Sequence, residues 1–172
     1  MASVLLARHL NTCGLHAEVI SAGTSPATCT PGASMVAAST RALVKLGIDP
    51  TPHRSQLLTA DLVTSADLVL AMAREHLREA VALVPGAWPR TYTLKEFVRL
   101  GRSHGARRTI EPIATWLASI GEDRVRAHAL ETSPDDDVAD PTGRPISAHV
   151  RTARELDELT FEAASLIAGV GP

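Results

Sequence analysis

The chain has little with which to staple or stack itself. Its only cysteines are Cys13 and Cys29, too few and too casually spaced for a disulfide framework or a zinc site, so a reducing compartment suits them better. Aromatic rings are scarce, with two Trp, one Tyr and two Phe in 172 residues. Charge of one sign is lacking too. Seventeen Lys and Arg against nineteen Asp and Glu leave a net charge of -2, so no global field points towards nucleic acid or an anionic membrane surface. Apolar runs such as Val4 to Ala7 and Leu68 to Ala73 fall far short of the roughly 20 residues that a membrane span needs. Arg8 and His9 also break what would be the apolar core of a signal peptide. These absences predict a cytoplasmic protein with neither a nucleic-acid nor a membrane partner, and no internal repeat or low-complexity tract alters that.

What is present is an alternation. The length suits one core-bearing domain and is too short to argue for two, so residues 1–172 are read as a single domain. Leu6, Leu10 and Cys13 recur at helical spacing and predict a helix over 2–13, stopped by Gly14. A strand is expected over 17–22 and a helix from Ser34 to Leu46, with Val36, Leu43 and Leu46 on one side and Gly47 as terminator. Pro50 and Pro52 hold the next segment extended. Thr59 can cap a short helix, and Leu68 to Met72 suits a strand buried on both faces. Helical character returns over Glu75 to Leu83, Lys95 to Leu100 and Ile113 to Ile120, with a further strand at Tyr92 to Leu94. A long helix from Ala148 to Ile167 turns Ala153, Leu156, Leu159 and Ala163 inward. Strands alternating with helices predict a parallel sheet covered on both faces, an α/β fold.

Four blocks in order, Ala17-Glu18-Val19-Ile20-Ser21-Ala22-Gly23-Thr24, His53-Arg54-Ser55-Gln56, Ala66-Asp67-Leu68-Val69-Leu70-Ala71-Met72 and Asp140-Pro141-Thr142-Gly143, resemble the low-molecular-weight protein tyrosine phosphatases. Roughly residues 84 to 133 show no good match. The resemblance implies a doubly wound three-layer sandwich with a small parallel sheet of order 2-1-3-4. It also implies a central first strand running into a loop of the form Cys, five residues, Arg-Ser. Backbone N–H groups and the arginine of that loop hold the phosphate, and its thiolate attacks phosphorus. Met1-Ala2 falls where the helix after that loop would begin, so the sequence is expected to be N-terminally truncated relative to the family and inactive as written. Without the central strand, backbone groups on either side of the slot lose their partners. A damaged, strand-swapped or oligomeric form is then expected.

The resemblance makes Asp140 the general acid, protonating the leaving oxygen and then activating water, with Pro141 fixing the local backbone. Taken alone, Asp-Pro and Thr-Gly are ordinary turn pairs. Ser21 and His53 match positions that brace the phosphate loop; a strand-end serine and a surface histidine are their plain alternatives. Neither Cys13 nor Cys29 has an arginine six positions on, so both are read as structural thiols. Asp135, Asp136 and Asp137 read as a solvated loop, and His9, His16, His76, His104, His128 and His149 as exposed polar positions. No spacing resembles a metal site, and no cofactor is implied.

The partner expected is a phosphorylated protein or a small phosphorylated substrate. Phosphotyrosine-specific relatives place aromatics after the second strand and after the Asp-Pro pair, where this chain has 25–30 and Thr142-Gly143-Arg144 without one. Phosphoarginine or a small metabolite therefore stays open. Trp88, Tyr92, Phe97, Trp116 and Phe161 read instead as core or hairpin residues. The basic stretch over 95–108, with Lys95, Arg99, Arg102, His104, Arg107 and Arg108, reads as a solvated face or a contact for an acidic partner. A non-catalytic binding scaffold is the alternative function. An arsenate reductase of the same scaffold would need resolving cysteines, and Ala66 to Pro85 has none.

Overall fold

Two threonines show how short signals in this chain set helix boundaries. The Thr59 hydroxyl accepts from the Leu62 N–H at 3.3 Å and starts α3, Ala60–Ser65. Thr93 makes a reciprocal capping box with Glu96 at the start of α5, Leu94–His104, satisfying two N–H groups that a helix start otherwise leaves open. The computed structural model describes residues 1–27, 29–50, 53–125 and 134–170. Thr28, Pro52 and His128 lie outside the described residues. Two compact units divide the chain: Met1–Leu57 with Ala139–Ala164, and Leu58–Val138 with Ser165–Pro172.

The first unit contains α1, Ala2–Thr12, α2, Ala37–Lys45, and most of α7, Ile146–Ala168. Its buried apolar side chains include Leu5, Leu10, Ala42, Leu43, Ile48, Ala153, Leu156 and Ala163. Helix α2 starts three residues later than Ser34. Val36 is its extended N-cap and is 59% exposed, so Ser39, Ala42 and Leu43 form the buried face instead. Residues 17–22 form no strand. A strand exists through its ladder, and among the described residues the pairing near this segment is a single parallel bridge between Gly23 and Leu57.

The second unit holds a βαβ arrangement. Strand β1, Val69–Ala71, is followed by α4, Arg74–Leu83, a 3₁₀ turn over Pro85–Arg90 and strand β2, Thr91–Thr93. The strands run parallel, with Val69 opposite Thr91 and Ala71 opposite Thr93. An α/β fold with a small parallel sheet is thus present. Strand β2 is fully buried, whereas Val69 and Leu70 of β1 are only half-buried; burial on both faces belongs to the second strand.

Around β2, Tyr92, Phe97 and Trp116 stack edge to face at 5.8 and 5.6 Å between ring centres, with Trp116 supplied by α6, Ile113–Ile120. Helix α5 runs four residues beyond Leu100. Within it, Leu166 fills the space where a Cβ on Gly101 would stand, 2.6 Å away. Phe161, in the first unit, is no core residue: it is 48% exposed and meets His9 edge-on. No helix among the described residues is long and apolar enough to cross a membrane.

Candidate active site

Ser21 and His53 come together: the Ser21 hydroxyl lies 3.4 Å from His53 Nδ1. Their loops are laced by backbone and by Gln56. The Gln56 side-chain amide donates to the Ser21 carbonyl at 3.2 Å. The Gln56 backbone carbonyl accepts from the Gly23 N–H at 2.9 Å and from the Cys29 thiol at 3.3 Å. Gly23 is required by close approach, since a Cβ there would stand 2.9 Å from that of Cys29. Gln56 thus ties the Ser21 and His53 segments together; in the sequence its local signal is a polar side chain ahead of an apolar pair, Leu57-Leu58. Burial, then the positive charges of the N-terminal ammonium and of Arg54, holds the His53 pKa below the usual imidazole range. A neutral ring suits a hydrogen-bond brace better than a charge carrier.

Asp140 stands exposed at the start of a closed turn. The Thr142 N–H donates to its Oδ1 at 2.9 Å, the Arg144 N–H donates to the Pro141 carbonyl at 2.9 Å, and Gly143 takes φ +72°, which a side chain would resist. The preceding residue is tied down as well, because the buried Thr152 hydroxyl of α7 donates to the Ala139 carbonyl at 3.2 Å. One carboxylate oxygen is thus oriented while the other faces solvent. That arrangement can pass a proton to a bound group. Among the described residues no hydrogen bond or ion pair joins Asp140 to Ser21 or His53.

The thiols offer no substitute nucleophile. Cys13 closes α1, and the residue six positions on is Val19, not an arginine. Cys29 spends its S–H on a carbonyl. No group of three or more His, Cys, Asp or Glu able to hold a metal occurs among the described residues.

Several residues read as solvated are not. Asp136 is 5% exposed and accepts from Arg74 at 2.6 Å and Arg99 at 3.3 Å. Burial alone would raise its pKa, yet the hydrogen bond from Arg74 and the charge of Arg99 hold the carboxyl below its usual range. Asp137 accepts the Arg74 N–H at 2.8 Å, so only Asp135 of the three acids is exposed. His149 is 3% exposed and pairs with the Ser39 hydroxyl at 3.1 Å. His9 meets Asp157 at 2.8 Å. Arg107, in the basic stretch, donates to the Ile167 carbonyl at 2.7 Å. Each of these partners is distant in sequence, and no local pattern announces it.

The parallel strand pair carried on a βαβ unit makes this an α/β protein. Residues 1–112 match the model of the low molecular weight phosphotyrosine protein phosphatase family, and the chain belongs to that family. The match runs through 84–112, where no similarity was legible in the sequence, and ends before Asp140. A YwlE mutant from Bacillus subtilis superposes with a TM-score of 0.69 at 26% identity, covering 95% of this chain and 86% of that one. The YwlE arginine phosphatase from Geobacillus stearothermophilus gives 0.64 at 26% identity, covering 95% and 83%. The low molecular weight protein tyrosine phosphatase from T. tengcongensis gives 0.66 at 27%, covering 94% and 86%. No curated protein matches the chain.

Proposed function

We propose that this chain is the scaffold of a phosphomonoesterase that works through a phosphocysteine, with Asp140 as proton donor and Ser21 and His53 bracing the phosphate loop. The cysteine sulfur attacks phosphorus, the bond from phosphorus to the leaving oxygen breaks, and Asp140 protonates that oxygen. Water, deprotonated by the same carboxylate, then cleaves the sulfur–phosphorus bond and releases phosphate. The observation that carries the reading is the Asp140 turn, in which the Thr142 N–H fixes one carboxylate oxygen and leaves the other open. Structural likeness to arginine and tyrosine phosphatases over about 95% of the chain supports it, and also supports treating 1–172 as one phosphatase-like domain. The two free thiols fit a cytoplasmic setting.

The reading requires a Cys-x5-Arg-Ser segment, which these 172 residues do not contain. A binding or regulatory scaffold without a nucleophile is the second reading. A strand supplied by a second copy, in a swapped homo-oligomer, is the form in which residues 17–22 would gain a ladder. The test is the intact mass and N-terminal sequence of the protein as the cell makes it, set against 18.2 kDa, together with its hydrolysis of p-nitrophenyl phosphate. A heavier protein with that segment should turn over, and Asp140→Ala should lower kcat by about 10²-fold or more. A protein that starts at Met1 and releases no phosphate hands the function to the scaffold reading.

A further inference from the structure

Arg144 shares the Asp140 turn. Its backbone N–H closes that turn on the Pro141 carbonyl at 2.9 Å, so its Cα is fixed relative to the carboxylate four residues earlier. The side chain is exposed and makes no hydrogen bond or ion pair among the described residues. Arg54, close to His53, instead donates to the His53 carbonyl at 2.8 Å. Helix stability does not account for Arg144. A cation just ahead of a helix opposes the helix dipole, and the first turn of α7 carries no acidic residue to offset it. Thr142 and Gly143 between the two charged residues are small and exposed. The turn has no aromatic side chain, so the Arg144 guanidinium is the group at this edge best suited to recognise a charged neighbour.

We propose that Arg144 is a specificity-determining residue that pairs with a second anionic group, a carboxylate or phosphate, beside the phosphoryl group that Asp140 serves. The inference rests on the phosphatase reading above. An exposed guanidinium-carboxylate contact has the size of a surface ion pair, so the selectivity expected is modest, up to about fivefold, and it should shrink as salt screens it.

The experiment uses the protein as the cell makes it. One phosphopeptide sequence is prepared with Glu or with Gln flanking the phosphorylated residue, and phenyl phosphate is compared with carboxyphenyl phosphate. The expected result is a higher kcat/KM for the acidic member of a pair, lost in Arg144→Ala, kept in Arg144→Lys and inverted in Arg144→Glu. Preference within the peptide pair assigns the anion to a protein substrate; preference within the aryl pair alone assigns it to a small molecule. Turnover without preference in the wild type, or preference surviving in Arg144→Ala, overturns the inference and leaves the phosphatase reading intact. No turnover of any probe, p-nitrophenyl phosphate included, removes both.

Discussion

The two units of this chain hold themselves together by different means. The second pairs two strands in parallel, packs three aromatic rings against one another, and buries two ion-pair networks. In one of them the Arg124 guanidinium sits 4.2 Å from the Trp88 ring centre and 3.9 Å from that of Tyr92 while pairing with Glu96 at 3.0 Å. The first unit has no strand ladder among its described residues, a single exposed phenylalanine, and polar contacts joined mainly in pairs, such as Ser39 with His149. Yet the first unit carries Ser21, His53 and Asp140. The residues proposed for chemistry stand on the less cross-linked scaffold, as expected where loops carry function and packed elements carry stability.

The comparison can be broken by mutation, beginning with the largest effect. Trp116→Ala empties the aromatic cluster of a side chain only 1% exposed and should cost about 3–5 kcal/mol by denaturant unfolding. A loss under 1 kcal/mol would mean that the cluster is not what holds the second unit. Asp136→Asn keeps the shape but removes the charge facing Arg74 and Arg99, and should cost roughly 1–3 kcal/mol at neutral pH. Because the native pKa of Asp136 is depressed, its contribution is complete above the unfolded carboxyl pKa of about 3.9. It is lost as pH falls through the lower native value. The wild-type advantage over Asp136→Asn should therefore fade below about pH 4 in a pH series of unfolding curves. An undiminished gap at lower pH would assign the effect to packing. Ser39→Ala leaves the buried His149 short of one partner and should cost about 1 kcal/mol. If that single bond proved as costly as Trp116, the first unit would be as tightly coupled as the second.

Local signals were legible and long-range ones were not. The Thr59 cap and the Asp140 turn are written within four residues each, and both stand in the structure. The Thr93-x-x-Glu96 box is as local, whereas the continuation of α5 past Leu100 is packed against Leu166, 65 positions after Gly101. Asp136 looked solvated beside two other acids, since Arg74 lies 62 residues earlier. His149 looked like a surface histidine because Ser39 is 110 residues away. Residues 17–22 were read as a strand and form none: a strand is a property of two segments, and the partner of this one is not written within it. Ser21 and His53 were named through resemblance, and their mutual contact needed the structure.

Both units are discontinuous in sequence, and α7 ends in one and begins in the other. Its last turn receives the Arg107 N–H on the Leu166 carbonyl at 2.9 Å, and Gly169, at φ +74°, passes so close to the Arg107 carbonyl that no side chain fits there. During synthesis, then, neither unit is complete until the C-terminal end of the chain has been made. The first unit lacks residues 139–164 and the second residues 165–172 until then, and joining segments so far apart raises the contact order of each.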